Sequence, residues 1–273
     1  MKTNLLICAA LALVNLSAVA APLTESTYTE IIHEVNTLST AGNPAAAKVN
    51  DILKAPERVR TGPESRAELT APDNTITRVG ANTVFSFSDS GRTLNLEQGN
   101  LLFHAPKGLG GGTIKSGGAS AAVLGTTLIV SATADGGFKV IMLEGTGKIT
   151  LPNGKSATLK AGQMVFVLPN GTELSKVIDI NLGKLVAGSS LVTGFSHPLS
   201  SAPLIQAAVD KQNAAIASGN AVDTGLPANG LGALDPGSYQ TAAHAPLTIN
   251  QVSALFGPKG GGPGGRTFTT GAF

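Results

Sequence analysis

Apolar and polar positions alternate in short blocks between about Ala47 and Thr172, as they do in β-strands separated by tight turns. Apolar runs such as Val84–Phe87 and Phe138–Leu143 end at groups of Asp, Asn, Pro and Gly. Asn-Gly is a strong hairpin signal because both residues tolerate positive φ. The clearest turn groups are Asp89-Ser90-Gly91, Asp135-Gly136-Gly137, Pro152-Asn153-Gly154 and Pro169-Asn170-Gly171. The pattern predicts an all-β domain over residues 47–172, built as a short-strand β roll, a solenoid-like fold or a sandwich.

Three glycines inside this region each separate two apolar strands. Gly99 follows Leu96-Glu97-Gln98, Gly145 follows Leu143-Glu144, and Gly162 follows Leu159-Lys160-Ala161. Glycine permits a sharp bend where a Cβ would clash. The spacings differ, so the units are not a regular repeat. We expect a chain that coils back on itself in similar short steps.

A helical periodicity precedes the β region. Apolar side chains recur at spacings of three and four between Leu23 and Ala41, at Tyr28, Ile31, Ile32, Val35 and Leu38. Gly42-Asn43-Pro44 would end such a helix. Residues 21–46 are therefore predicted to form an amphipathic helix and a linker. The helix would pack on the following domain or, alternatively, bind a partner.

The pattern weakens after Thr172. Val177–Ile180 and Lys184–Val186 predict peripheral strands, and Pro203–Ala217 predicts a helix within residues 173–218. A protein truncated after about Ser200 should still melt cooperatively. Residues 219–273 are rich in Gly, Ala, Pro, Ser and Thr with few charges. Such a low-complexity tail is predicted to be mostly disordered, because it cannot bury enough apolar surface to offset its ordering entropy.

The first 20 residues have the organisation of a signal peptide. Lys2 precedes an apolar run from Leu5 to Leu16, and Ala18-Val19-Ala20 offers a small-x-small cleavage site. The run is shorter than the ~20 residues that span a bilayer. The prediction is a secreted or periplasmic protein without a membrane span after cleavage. An uncleaved anchor and a lipoprotein modified at Cys8 are the alternatives.

Composition narrows the chemistry further. Cys8 is the only cysteine of the 273 residues, so the mature chain has neither a disulfide nor a cysteine metal site. A net charge of +2, with 13% charged residues and no Trp, argues against a nucleic-acid surface. Metal-ligand spacing is absent among the histidines, which are His33, His104, His197 and His244. We therefore predict no catalytic, cofactor-binding or metal-binding residues, no cofactor, and a protein that is not an enzyme.

Two further patterns are candidates for a catalytic or phosphate-binding site. Gly108–Ser116 has the glycine content of a phosphate loop, but Ile114 stands where glycine should precede the lysine and no helix pattern follows. An inter-strand loop is the better interpretation. Glycoside hydrolysis needs two facing carboxylates, for which the candidates are Glu64 with Glu68, or Glu97 with Glu144. Turn-stabilising or solvated roles explain them more simply.

Four segments of the central region resemble the FecR family. They occur in the family's order and together cover about Ala47 to Leu168. They are Val59–Leu69 with its Thr-Gly and Ser-Arg-Ala-Glu-Leu, Asp73–Thr83, the Gly-Thr region Ala122–Thr127, and Val140–Gly145 with Leu159–Gln163. Arg66 and Arg78 lie close in sequence to Glu68 and Asp73, and we expect them to form surface ion pairs across strands.

The resemblance implies a periplasmic β domain that contacts other proteins. Leu124 replaces an arginine common before the Gly-Thr core, and Ser116-Gly117 replaces a Thr-Pro. The family's sensor-regulators carry a sigma-regulating domain and a membrane helix before this domain. Neither is evident here, so anti-sigma signalling is not expected. We predict a non-catalytic binding module of the cell envelope whose partner is a protein or an envelope polymer. A structural envelope or matrix protein is the alternative, and an enzyme acting on cell-wall glycan is a minor one.

Overall fold

The structure, a computed structural model, describes residues 21–41, 43–134, 136–167 and 172–225. Strands are the main regular structure of the described chain. In chain order these are β1 (Glu25–Ile32), β2 (Val35–Leu38), β3 (Pro44–Ala46), β4 (Ile52–Lys54), β5 (Arg58–Thr61), β6 (Arg66–Thr70), β7 (Ile76–Val79), β8 (Val84–Phe87), β9 (Thr93–His104), β10 (Gly112–Ser116), β11 (Ala119–Val123), β12 (Thr127–Ala132), β13 (Phe138–Glu144), β14 (Thr146–Thr150), β15 (Ser156–Lys160), β16 (Gln163–Val167) and β17 (Ile178–Asp179). The helices are α1 (Leu182–Gly188), α2 (Ser190–Thr193) and α3 (Ala202–Ala217).

The strands form two layers that share β9. The front sheet has the order β4-β1-β6-β7-β9-β12-β13-β16-β17. The back sheet has the order β3-β2-β5-β8-β9-β10-β11-β14-β15. Neighbouring strands are antiparallel, except that β9 and β10 run parallel. The prediction of an all-β domain of short strands is confirmed.

The three predicted glycine bends are among the corners at which the chain passes between the sheets. Gly99 divides β9 into a half that pairs with β8 in the back sheet and a half that pairs with β12 in the front sheet. Gly145 connects β13 to β14, and Gly162 connects β15 to β16. All three have positive φ, between 75° and 97°. Each bend therefore uses the conformation that glycine adopts without steric cost.

Two of the predicted hairpin turns are present as expected. Asp89–Gly91 joins β8 to β9, and Pro152–Gly154 joins β14 to β15. β12 and β13 pair across the third turn, although Asp135 itself lies outside the described residues. The fourth turn, at 169–171, also lies outside them, as do the predicted signal peptide with Cys8, His244 and the tail from residue 226 onward.

The predicted N-terminal helix is wrong, because residues 25–38 form β1 and β2. β1 pairs with β4 and β6, while β2 pairs with β3 and β5. Ser26 and Tyr28 are buried at alternate positions, so a period of two competes with the helical spacing. β-branched residues such as Thr27, Thr29 and Ile31 favour the extended form. His33, with φ of 61°, lies at the bend between β1 in the front sheet and β2 in the back sheet. Pairing with strands far along the sequence decides the outcome.

Two apolar cores flank the front sheet. One lies between the sheets and contains large side chains such as Phe85, Phe103, Phe138, Leu128 and Leu159. The second lies on the other side of the front sheet, beneath the C-terminal helices. It is formed by Leu102, Ile129, Ile141, Leu143, Met164, Phe166, Ile178, Ile180, Leu182, Leu185, Leu191, Leu199, Ile205 and Val209. The front sheet is therefore covered on both faces at β9, β12, β13 and β16.

The segment after Thr172 is more helical than predicted. The strand at 178–179 and the helix at 202–217 are confirmed, but the predicted strand Lys184–Val186 is wrong because it lies in α1. The Asn181 side chain caps this helix by accepting a hydrogen bond from the Lys184 amide. None of the helices in the described chain is long and apolar enough to span a membrane.

Candidate functional site

Polar residues of the first two FecR-like segments bind β5, β8 and β9 together inside the fold. The Thr61 hydroxyl donates to the Gly80 carbonyl at 2.6 Å and accepts from the Thr83 amide at 2.9 Å. The Thr83 hydroxyl accepts from the Asn100 amide at 2.9 Å. Both threonines are buried. These residues satisfy backbone groups where the strands diverge, which is a structural role.

Asp73 belongs to a second internal network. Its carboxylate accepts from the Thr75 amide at 2.9 Å and lies 2.7 Å from the Arg92 guanidinium. Burial alone would raise the pKa of Asp73, but the hydrogen bonds from Thr75 and the charge of Arg92 lower it below its usual value. Arg92 also donates to the Thr75 hydroxyl and to the Gly111 carbonyl. The sequence analysis did not identify Arg92, which lies 19 positions after Asp73.

Arg78 fastens the C-terminal segment to the front sheet. Its Nε lies 2.8 Å from Glu68, so the predicted ion pair is confirmed, but the pair is not at the surface because the Arg78 side chain is 0% exposed. The guanidinium also donates to the carbonyls of Leu191, Val192 and His197 at 3.2, 3.0 and 2.6 Å. It lies over the Phe195 ring, 4.3 Å from the centroid. Arg66 forms no ion pair within the described part of the chain.

A buried polar cluster lies where α3 begins. The Thr127 hydroxyl lies 2.9 Å from Glu144, 2.8 Å from Ser201 and 2.9 Å from Nδ1 of His104. Burial raises the pKa of Glu144 and lowers the pKa of His104. All four residues are at most 6% exposed. Since a substrate has no access to them, the cluster serves to attach α3 to the front sheet.

Neither candidate carboxylate pair forms. Glu97 is exposed on the back sheet, 3.4 Å from Arg58, whereas Glu144 is buried in the front sheet. Glu64 lies in an exposed turn with φ of 54°, and Glu68 is bound by Arg78. The structure therefore shows no arrangement of two facing carboxylates at these positions.

The glycine-rich loop and the histidines have structural surroundings. Residues from Gly112 onward form β10, and Gly112 packs against the Phe103 ring with no room for a Cβ. His33 lies in the turn after β1, while His197 offers its carbonyl to Arg78. Within the described ranges no group of three or more His, Cys, Asp or Glu side chains could hold a metal ion.

The outer face of the back sheet is a polar surface that these networks leave free. Outward positions of β14 and β15 are exposed or half-buried, while their alternate positions are buried, except for the half-buried Ala157. Five cations point outward, namely Arg58, Arg60, Lys115, Lys148 and Lys160. An open groove of about 500 Å³ adjoins them and is lined by Asn95, Glu97, Lys115, Gly117, Ser120 and Thr133, among others. At the edge of this sheet, β15 pairs only with β14 among the described strands.

Comparison with known proteins agrees with the resemblance seen in the sequence. Residues 57–146 match the family model described as FecR protein. Two crystal structures of a candidate anti-sigma factor from Parabacteroides distasonis are similar to this chain at 18% identity, each with a TM-score of 0.40. The similarity covers 45% of this chain and 59% of theirs. No curated protein matches the chain. The match to the family model alone marks residues 57–146 as similar to FecR domains.

Proposed function

We propose that this chain is an exported FecR-domain protein that acts as a non-catalytic binding module of the cell envelope, through the outer face and free edge of the back sheet. The supporting observation is how the polar residues are used. Buried polar side chains of the FecR-like segments make internal contacts, as with Thr61, Thr83 and Arg78. The charged side chains at outward strand positions of the back sheet, including Arg60 and Lys160, are exposed.

A non-catalytic role is consistent with the burial of the reactive groups. His104, Thr127, Glu144 and Ser201 form a compact hydrogen-bonded cluster, yet they are sealed between the front sheet and α3. A general acid or base must reach its substrate directly or through one water molecule. The back sheet instead offers a broad face and a strand edge, which are features of recognition by surface contact and strand addition.

Photo-crosslinking tests the location of the binding surface. A photoreactive residue is placed at Thr158, which is exposed on β15, and in a second variant at Gln206, which is exposed on α3. We expect a discrete adduct with an envelope component from Thr158 only. An adduct from Gln206 and none from Thr158 would contradict the proposal. Co-fractionation with the wall as a polymer, without a discrete adduct, would favour the structural alternative.

Export is proposed from the sequence of residues 1–20 and has its own test. The protein is expressed in a Gram-negative host, and the periplasmic fraction is recovered. N-terminal sequencing should give Ala21 as the first residue of the mature chain. Retention of Met1 in the cytoplasmic fraction would exclude this part of the proposal.

A further inference from the structure

Building on the proposed function, we propose that a linear acidic polysaccharide binds across the back sheet, along a stripe formed by Arg60, Arg58, Lys115, Lys148 and Lys160. These five residues are called the basic stripe below. All five are exposed and lie at outward positions of their strands.

The strand register aligns the basic stripe diagonally across the sheet. Arg58 lies opposite Ser86, Ser86 opposite Asn95, and Asn95 beside Lys115, so the two cations share one row. Lys148 lies opposite Ala122, one row further along.

The ends of the stripe continue the same diagonal. Lys160 lies opposite Thr146, one row beyond Lys148, and Arg60 lies one row before Arg58. From β5 to β15 the stripe crosses roughly 30 Å of sheet, at about 4.8 Å per strand. Its length and direction suit an extended polymer that lies across the strands.

The charge of the stripe is largely uncompensated. Glu97 is the carboxylate at the outward strand positions of the described back sheet, and it pairs with Arg58 at 3.4 Å. The other four cations take part in no ion pair within the described residues. A surface with one sign of charge raises the local concentration of the opposite ion. The occupant is therefore an anion with several charges.

The residues between the cations indicate a carbohydrate. Outward side chains there carry hydroxyl or amide groups, which can bond to sugar hydroxyls, and they include Ser86, Asn95, Thr113, Ser120, Thr150 and Thr158. The outward positions of β9, β10, β11, β14 and β15 carry no aromatic side chain on which bases could stack. Leu124, which is 80% exposed, is the large apolar residue exposed beside the stripe, too little for insertion into a membrane.

An acidic peptide fits this surface less well. A peptide that adds as a strand would run along β15 and meet only Lys160 of the five cations. The basic stripe crosses the strands, so most of its charge would remain unused.

The test measures binding of the purified protein to polygalacturonate by titration calorimetry, with neutral dextran, polyglutamate and anionic lipid vesicles as comparison ligands. We expect saturable binding to polygalacturonate only. The variant Lys148→Gln/Lys160→Gln should bind about tenfold more weakly, because two surface ion pairs are lost. The control variant Lys54→Gln/Lys211→Gln removes the same charge from exposed sites away from the back sheet and should bind like the parent protein.

Other outcomes overturn the inference. Absence of polygalacturonate binding, equal weakening in both variants, or equal binding of polyglutamate or vesicles would each do so. Both variants are first shown to keep the parent melting temperature. Because the crosslinking at Thr158 is read independently, a protein adduct there would uphold the binding module even if the polysaccharide inference failed.

Discussion

The front and back sheets differ in how many of their faces are covered. Every residue of β12 and β13 in the front sheet is buried, whereas β14 and β15 in the back sheet alternate between buried and exposed positions. A strand buried on both faces needs a nearly continuous apolar run, and a strand with one wet face needs alternation. The apolar runs of β12 and β13 and the alternation of β14 and β15 therefore indicate, from sequence alone, which of these strands are covered by helices.

Charged side chains also have different surroundings in the two sheets. Arg78 in the front sheet is enclosed by Glu68 and by three carbonyls of the C-terminal segment. Arg60 in the back sheet is exposed and forms no ion pair with a described residue. Arg78 of the front sheet thus binds the C-terminal segment that covers it, whereas Arg60 of the back sheet is exposed.

Removing part of the cover should have the largest effect. Truncation after Ser200 deletes α3 with the buried Ile205 and Val209, and also Gln212, which bonds to Leu182 and Ile180. We expect about 5 kcal/mol less free energy of unfolding, from two lost aliphatic side chains and their hydrogen bonds. The sequence-based expectation that the truncated protein still melts cooperatively stays a prediction, to which the structure adds a lower stability. Urea denaturation measures it, with a chain ending at Gly225 as control. Equal midpoints for the two chains would show that α3 contributes nothing to the front sheet.

Arginine replacements compare the two sheets directly. Arg78→Ala should cost about 3–5 kcal/mol, because Glu68 is left without its partner and three carbonyls lose a donor. Arg60→Ala, at the exposed position, should change stability by less than about 0.5 kcal/mol. Chemical denaturation of both variants measures the two losses in free energy of unfolding. Similar losses at the two sites would refute the distinction between an enclosed and a free cation.

Replacing a glycine at a corner between the sheets should lower the free energy of unfolding more than replacing one in a hairpin turn. This difference should be smaller than that between the two arginines. Gly145→Ala places a Cβ against the Thr126 side chain at a φ of 75° and should cost about 3 kcal/mol. Gly154 has a similar φ of 82°, but nothing lies within 4 Å of its added Cβ. Gly154→Ala should therefore cost only about 1 kcal/mol of backbone strain. Thermal unfolding of the two variants measures the difference, and equal costs would show that the corner is not tightly packed.

The smallest effect concerns the pH dependence of the buried cluster. Burial raises the pKa of Glu144 above its ordinary value of 4.5, so the fold favours the protonated carboxyl. The stabilisation that comes from the protonated Glu144 is fully present when the pH is below that ordinary value. It is lost as the pH rises through the pKa of Glu144 in the folded protein. Glu144→Gln mimics the neutral form, so its melting temperature relative to the parent should be higher at about pH 7.5 than at about pH 4. If the difference in melting temperature between the variant and the parent protein is the same at both pH values, burial does not raise the pKa of Glu144.

Local signals predicted much of this fold. The turns at Asp89–Gly91 and Pro152–Gly154 and the corners at Gly145 and Gly162 follow from the backbone freedom of the residues present. The helix at 202–217 follows from its own periodicity. In these elements the sequence neighbours are also the contacts that decide the conformation.

Features that depend on distant partners were not predictable in this way. Residues 25–38 satisfy both a helical and an alternating pattern, and only pairing with β4, β5 and β6 resolves the ambiguity. Nothing local identifies Arg92 as the partner of Asp73, or places Ser201 beside Thr127. The sequence predicted that an outer face stays free for contact, but not that this face is basic. The sign of its charge depends on which strands become neighbours.

Lysine footprinting tests most directly the claim that the back sheet is the open, interacting face. The full protein is acetylated with and without a saturating envelope extract, and the modification of each lysine is read by mass spectrometry. Protection should be confined to Lys115, Lys148 and Lys160, while Lys54, Lys184 and Lys211 on the other elements react equally in both samples. Protection of Lys54, Lys184 or Lys211, with the back-sheet lysines unchanged, would contradict the account.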